Sequence, residues 1–143
     1  MTAAKTMIDG VRIHLSGEPI GKGRPRFQRA TGRTFTPERT RQYEGVLRLA
    51  AQEEMGHRSP LDGPLRVELY ATFAVPKSWS KKRREAALAQ REWPTKKPDA
   101  DNLLKVIDAL NGVVWEDDKQ VVDARVRKFY GPRPSLTVVV TAV

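Results

Sequence analysis

The sequence has 143 residues, with 26 Lys or Arg against 17 Asp or Glu, a net charge of +9 and an isoelectric point near 10.2. This length suffices for one domain with a modest core. The absence of cysteine excludes a disulfide framework and a thiolate zinc site, and two distant histidines, His14 and His57, exclude a histidine-rich metal site. The positive excess favours a polyanionic partner, because released counterions make phosphate binding favourable.

The start of the chain carries no targeting pattern. There is neither a cationic start followed by an apolar signal core nor an apolar run of about 18 residues. We therefore expect a soluble protein of the cytoplasm. Residues 1–10 are expected to form a disordered leader, and residues 11–143 to form a single domain.

The first predicted strand is followed by a basic, glycine-rich segment. Val11, Ile13 and Leu15 alternate with polar residues, which is typical of a half-buried strand. Residues 21–35 then read GKGRPRFQRATGRTF, which indicates a loop or a hairpin turning at Thr31-Gly32. The charges suit backbone phosphates, and an aromatic among them suits a stacked base; a solvated loop without specific contacts is the alternative. The candidate nucleic-acid-binding residues here are Lys22, Arg24, Arg26, Arg29 and Arg33, with Phe27 between them.

A long helix and a strand are predicted next. Thr36 is a good N-cap and Pro37 a good first helical residue, so the apolar spacing predicts a helix from Pro37 to Met55. Gly56 is suited to the position after its last turn. The segment from Leu65 to Val75 alternates apolar and mostly polar residues, and it is the clearest predicted strand.

A short basic helix follows that strand. Ser80 is a suitable N-cap for a helix that runs to Gln90 and lies between Trp79 and Trp93. A basic helix leading into an acidic segment suits a flap that grips DNA; a solvated charged face, with the tryptophans as core plugs, is the alternative. The candidate nucleic-acid-binding residues are Lys81, Lys82, Arg83 and Arg84, followed by Lys96 and Lys97.

Residues 97–122 read KPDADNLLKVIDALNGVVWEDDKQVV and concentrate carboxylates in an otherwise basic chain. A helix is predicted from Asp101 to Leu110. Its core face comprises Leu103, Leu104, Ile107 and Leu110, and another face aligns Asp101, Lys105 and Asp108. If the later Asp117-Asp118 turn folds beside the start of the helix, one of these two residues converges with Asp99 and Asp101.

These carboxylates predict a metal site, because clustered negative charges repel one another unless a cation neutralises them. Mg²⁺ takes oxygen ligands and needs only one to three carboxylates, since water and phosphate oxygens complete its shell. Such an ion would polarise a scissile phosphate and activate a water, while Lys105 would bind the phosphate. The alternative for any single Asp is structural, because Asp stabilises helix N-termini and forms turns.

The C-terminal part predicts two strands. Residues 120–130 alternate, with Val122, Ala124, Val126 and Lys128 on one side, and residues 135–143 form a final apolar strand after a Gly-Pro turn. The two strands are expected to pair antiparallel. The element order predicts a small single α+β domain in which helices pack on one mixed β-sheet.

The motifs KPDADNLLK, DALNG and DDKQVVD, together with the earlier GKGRPRF and PKSWSKKRREAAL, resemble the RusA family of Holliday-junction resolvases, which phages and prophages often carry. The resemblance covers residues 17–130. It implies that Asp99, Asp101 and Asp118 are the essential metal-binding carboxylates, that Lys105 is the functional lysine, and that Asp117 supports them.

One spacing departs from that family's pattern. Three residues commonly separate the Lys from the Asp of D-A-L-N-G, whereas here only Val106 and Ile107 do. This shifts Asp108 and Leu110 by one helical position relative to Lys105.

The resemblance further implies a RusA-like fold and a homodimeric endodeoxyribonuclease that uses Mg²⁺, with Mn²⁺ as a substitute. Such an enzyme makes paired, symmetric cuts in four-way DNA junctions during recombination and repair. Two other hypotheses remain open from the residues alone. One is a structure-selective nuclease that acts on flaps, single strands or RNA. The other is a non-catalytic basic module that binds nucleic acid and uses its acidic residues structurally.

Overall fold

The computed structural model of the chain describes residues 10–23, 26–35 and 37–143. Most of the expected leader, the candidate phosphate ligand Arg24 and the expected N-cap Thr36 lie outside the described residues. Only the backbone is described for Arg26, Phe27 and Phe35.

A four-stranded mixed sheet forms the centre of the domain, and this confirms the predicted α+β class. Its strands are β1 (Val11–Ser16), β4 (Leu65–Ala74), β5 (Val121–Gly131) and β6 (Ser135–Ala142), in the order β1-β6-β4-β5. The two pairings of β6 are antiparallel, and β4 and β5 are parallel. Of the loop and the hairpin that the sequence left open for the basic segment, the structure has the hairpin, in which β2 (Arg26–Gln28) pairs with β3 (Arg33–Phe35).

The expected antiparallel pairing of the last two strands is wrong. β6 lies between β1 and β4, whereas β5 lies at the edge of the sheet. The apolar β6 buries Leu136, Val138 and Val140 at the centre, while the charged β5 occupies an edge, where exposed charges disfavour pairing with another chain. The parallel partner of β5 requires a long crossover, which residues 75–120 supply.

Val122 also departs from its expected position. Strand β5 has an irregularity in its pairing with β4, since Leu65 pairs with Val121 and Arg66 with Asp123. Val122 is left out of the ladder and is 63% exposed. A bulge of this kind bends a strand and leaves its extra residue unpaired, so the strict alternation assumed from the sequence does not hold at this point.

Helix α1 (Glu38–Met55) confirms the long helix, with Pro37 at its N-cap instead of its first helical position. It packs against β1 and the crossover segment through a buried stripe that includes Leu47, Ala51 and Met55. Helix α2 (Lys81–Leu88) is capped by Ser80, whose hydroxyl accepts a hydrogen bond from the Arg83 amide at 3.2 Å. No helix in the described ranges is long and apolar enough to cross a membrane.

The crossover ends in two helical segments where a single α-helix was expected. Helix α3 (Ala100–Leu104) is followed by a 3₁₀ segment, Lys105–Leu110. The 3₁₀ segment buries Val106 as well as the predicted Ile107 and Leu110. In α3, the predicted Leu103 is buried, whereas the predicted Leu104 is only partly buried. Arg48 of α1 donates to the carbonyls of Ala109 and Asn111 at 3.1 and 2.8 Å, which satisfies groups at the end of this segment.

Candidate functional site

Asp99 and Asp101 lie at the start of α3, as the sequence predicted. Asp99 is the N-cap, with extended backbone angles, and Asp101 lies in the first turn. Both side chains are exposed. The Lys105 ammonium lies 3.6 Å from Asp101 Oδ2, and its side chain is itself 59% exposed. Two carboxylates and a cation are thus presented to solvent on one short helical surface.

The second acidic motif is held by a separate turn. Asp117 caps the 3₁₀ turn Asp118–Gln120 in a reciprocal capping box with Gln120. The Gln120 amide also donates to the carbonyls of Leu61 and Gly63 at 2.9 and 3.1 Å. The turn therefore has a fixed position before β5.

Asp118 makes contact with Asp108, which lies in the 3₁₀ segment. The hydrogen bond between the two carboxyl groups, with burial and the neighbouring charges of Asp108 and Asp117, raises the pKa of Asp118 to about 6. Burial tends to raise the pKa of Asp108, but its hydrogen bonds with Asp118 and Lys22 outweigh that effect and lower it. The two carboxyl groups are therefore a coupled acid pair with unlike affinities for the proton.

Lys22 connects this pair to the rest of the domain. Its ammonium lies 3.1 Å from Asp108 Oδ2 and 3.3 Å from Glu44 Oε2 of α1. Its backbone amide donates to the Asn102 carbonyl at 2.8 Å. Burial lowers the pKa of Lys22, but the hydrogen bonds and charges of Asp108 and Glu44 raise it above its ordinary value.

A groove of about 780 Å³ lies beside Asp99. It is formed where residues 18–23, the start of α1, the end of β4, residues 96–99 and α3 meet. Four basic side chains and two acidic ones line it: Lys22, Arg39, Lys96 and Lys97, with Glu18 and Asp99. Basic side chains from several elements thus line the same groove as Asp99.

The structure brings the predicted site residues into two groups. Asp101 and Lys105 form one pair, while Asp117 and Asp118 lie with Asp108. Within the described ranges, no group of three or more His, Asp or Glu side chains is already arranged to hold a metal ion. The shared ligand set of Asp99, Asp101 and Asp118 therefore stays a prediction.

The predicted nucleic-acid-binding residues on α2 differ in their contacts. Lys81 and Lys82 are exposed. Arg83 instead lies 3.5 Å from the Trp79 ring centroid and donates to both Glu92 oxygens at 2.7–3.2 Å. Arg84 donates to the Pro76 carbonyl at 2.8 Å. Both arginines thus have intramolecular contacts that the sequence did not indicate.

Two residues near the site were not among the predicted ones. Asp108 was not among the candidate metal ligands, yet it contacts both Asp118 and Lys22. Lys128 donates to the Lys96 carbonyl at 2.6 Å, and the charge of Asp99 acts on it, although burial lowers the pKa of its ammonium overall. The sequence did indicate Lys128, because it lies on the otherwise apolar side of β5, where a charged side chain is rare unless it has a partner.

Comparison with known proteins gives two matches. The profile of the family described as Endodeoxyribonuclease RusA matches residues 16–141, a range that contains the groove and both acidic motifs. A protein of Bacillus subtilis (strain 168), "Uncharacterized protein YqaN", is 35% identical to this chain over 143 residues. That alignment covers 95% of this chain and 99% of the Bacillus protein.

Proposed function

Since the chain belongs to the RusA family of endodeoxyribonucleases, we propose that it is a metal-dependent nuclease that resolves four-way DNA junctions by paired, symmetric cuts. The observation that carries this proposal is the family match over residues 16–141, which includes both acidic motifs. The surrounding charge supports it, because a net charge of +9 favours DNA and four basic side chains line the groove that also contains Asp99.

The donor set fits Mg²⁺. Asp99, Asp101 and Asp118 offer hard oxygen ligands, and Asp117 lies next to Asp118 in the chain. A ready cluster of three is not required, because water and phosphate oxygens complete the shell of this ion. When both Asp108 and Asp118 are ionised, their contact places two negative charges together, an arrangement that a cation relieves. Held by Asp99, Asp101 and Asp118, Mg²⁺ would act as a Lewis acid and would lower the pKa of a coordinated water.

The other side chains have positioning and electrostatic roles in this proposal. Lys105 faces solvent beside Asp101, so its ammonium can bind a non-bridging phosphate oxygen and stabilise the charge that grows on it. Lys22 also contacts Asp108, and Asp108 in turn limits where the Asp118 carboxyl can lie. The Gln120 contacts fix the turn that carries Asp117 and Asp118.

The test is cleavage of an end-labelled four-way junction in Mg²⁺ or Mn²⁺, with each strand followed separately. We expect two symmetric cuts that ligase can reseal, and little cutting of linear duplex or flap substrates. Asp101→Asn is expected to abolish cleavage while leaving junction binding intact or stronger. Glu53→Gln, which removes a carboxylate from the exposed side of α1, is the matched control and keeps full activity.

Other outcomes select other functions. Equal cutting of junctions, flaps and linear DNA would identify a nuclease of broader selectivity. Salt-sensitive binding without products in any divalent metal would identify a non-catalytic binding module. Persistent cleavage by Asp101→Asn would remove that residue from the proposed ligands.

Paired cutting further requires two active sites related by symmetry, so we propose a homodimer. Sedimentation equilibrium over a range of concentrations, with and without junction DNA, tests it. A monomer bound singly to a junction that is nevertheless cut in both strands would contradict it.

A further inference from the structure

The groove beside Asp99 has features that the proposed cleavage chemistry does not use. Its lining combines four basic side chains with two glycines and several apolar residues. Resting on the proposed function, we propose that this groove is a subsite for the cut strand, in which the nucleotides next to the scissile phosphate are held by their backbone.

The charge of the groove favours a phosphodiester strand. Lys96, Lys97 and Arg39 are exposed at its surface, whereas Lys22 is already engaged by Asp108 and Glu44. Three cations therefore remain for phosphate oxygens. Asp99 lies in the same wall, so a strand bound here runs past a proposed metal ligand.

The walls of the groove are set by close backbone contacts. A Cβ atom at Gly21 would lie 2.7 Å from Pro98 Cβ and 3.1 Å from Asn102 Cβ. A Cβ at Gly23 would lie 3.1 Å from both Pro37 and the Thr40 hydroxyl, to which the Gly23 amide donates at 3.0 Å. The two glycines thus allow residues 21–23 to lie directly against α1 and α3, which gives the groove a preformed shape.

The opposite side is braced from the sheet. Lys128 of β5 donates to the Lys96 carbonyl at 2.6 Å, and the ammonium groups of Lys96 and Lys128 lie 6.0 and 5.8 Å from the Phe73 ring centroid. These contacts fix the backbone that carries Lys96 and Lys97. The side chains of both lysines remain at the surface of the groove.

The same geometry argues for recognition of the backbone and not of the base. Phe73 lines the groove but is only 2% exposed, so its ring offers little surface on which a base could stack. Contacts to phosphate position a strand without reading its sequence. The subsite is therefore expected to hold the cut strand with little preference for the bases within it.

Methylphosphonate interference combined with substitution tests this subsite. In a series of four-way junctions, each phosphate near the branch point is replaced in turn by an uncharged methylphosphonate. Single-turnover cleavage by the wild-type protein is expected to fall about tenfold or more at the groove-bound positions next to the cut. In Lys96→Gln/Lys97→Gln the rate on unmodified DNA falls, and the further loss at those positions shrinks to less than about threefold, because the charges that paired with them are gone.

Arg12→Gln is the matched control, since Arg12 is an exposed cation on β1 outside the groove lining. It is expected to keep the wild-type interference pattern. If methylphosphonates at the groove-bound positions slowed Lys96→Gln/Lys97→Gln by the same factor as the wild type, the subsite would be overturned. Methylphosphonates in the distal arms should change the cleavage rate by the same factor in every variant. That result would show that the double variant is folded.

The same series is also measured as binding, by fluorescence anisotropy of Asp101→Asn without divalent metal. This readout does not depend on cleavage. The subsite would be supported if methylphosphonates at particular positions weakened binding less once Lys96 and Lys97 were replaced. This would hold even if no junction were cut, and only the proposed cleavage would then fail. Additive binding losses would reject the subsite even if cleavage were observed.

Discussion

Lys22 lies between carboxylates from two different elements, at 3.3 Å from Glu44 of α1 and 3.1 Å from Asp108 of the 3₁₀ segment. The side chain of Glu44 is only 18% exposed. Removal of the ammonium would leave two carboxylates facing each other in a partly buried place, with Asp118 as a third neighbour. This lysine therefore acts on the position of Asp108 and, through it, on Asp118.

We predict that Lys22→Met destabilises the protein by about 1–2 kcal/mol, because it leaves partly buried acceptors without their charged donor. The methionine keeps most of the apolar stem, so the lost ammonium is the main change. Urea unfolding followed by circular dichroism measures the effect. The exposed Lys81→Met is the control and should stay within about 0.5 kcal/mol of wild type. Equal stabilities of the two variants would show that the bridge contributes nothing.

Single residues show where inference from the sequence reached its limit. The positions of Asp99 and Asp101 at a helix start follow from local rules and are confirmed. The contact between Asp108 and Asp118 does not, because it depends on how the Asp117–Gln120 turn packs against the 3₁₀ segment. Lys128 was visible as a charge on an apolar strand face, but its partner Lys96 is distant in the chain.

At the scale of elements, the 3₁₀ segment explains how the short spacing after Lys105 is accommodated. Two turns take about seven residues in an α-helix but only about six in a 3₁₀ helix. Lys105–Leu110 has six residues. Tighter winding would absorb the one-residue difference in spacing that the resemblance implies, and the segment has Leu110 buried and Asp108 exposed.

This accommodation predicts that one inserted residue is tolerated. A leucine placed between Ile107 and Asp108 should convert the segment to α-helix, with stability within about 1 kcal/mol of wild type and junction cleavage retained. The same insertion between Leu103 and Leu104 is the control. It would rotate the buried Leu103 and the start of α3 relative to Lys105 by about 100°, at a cost of about 2–5 kcal/mol. Urea unfolding and cleavage are measured for both; similar losses would contradict the winding argument.

Helix α2 divides its basic residues between packing and solvent. Arg83 and Arg84 hold Glu92, the Trp79 ring and backbone carbonyls, whereas Lys81 and Lys82 face solvent. Composition alone could not separate these roles, since all four residues belong to one basic run. The partners of the arginines come from the preceding strand end and the following loop.

We therefore predict different outcomes for neighbouring substitutions on α2. Lys81→Gln/Lys82→Gln should leave the melting temperature unchanged, weaken junction binding and reduce the slope of log K against log salt by up to about two. Arg83→Gln should lower the melting temperature, with a smaller effect on that slope. Anisotropy titrations at several salt concentrations and thermal melts distinguish them. A slope unchanged by the double lysine variant would remove α2 from the DNA-binding surface.

For the molecule as a whole, the order of strands was the least predictable feature. The individual strands follow from alternation, but the assumption that consecutive strands pair fails because β6 crosses to the centre of the sheet. That choice depends on which strand is most apolar on the assembled sheet, a property of all four strands together. The same sheet places Lys128 of β5 beside residues 96–99 and so helps to shape the groove.

The whole charge distribution predicts how a divalent cation affects DNA binding. The chain carries a net charge of +9, whereas Asp99 and Asp101 are exposed carboxylates that, in the proposed function, lie where a phosphate approaches. Without a cation they repel the strand; with one, the repulsion turns into attraction through the shared ion. We predict that Ca²⁺, which takes the same oxygen donors, raises the affinity of the wild-type protein for a four-way junction about tenfold at constant ionic strength.

Asp99→Asn/Asp101→Asn should bind the junction more tightly than wild type in metal-free buffer and gain little from Ca²⁺. Glu53→Gln, whose carboxylate lies on α1 away from the groove lining, should respond as the wild type does. Anisotropy at fixed ionic strength measures both, and strand integrity is checked on a denaturing gel. If the double variant gained as much from Ca²⁺ as the wild type, the cation would be acting on the DNA alone. Asp99 and Asp101 would then have no part in metal-assisted binding, because removing their charges would not have changed the gain in affinity on adding Ca²⁺.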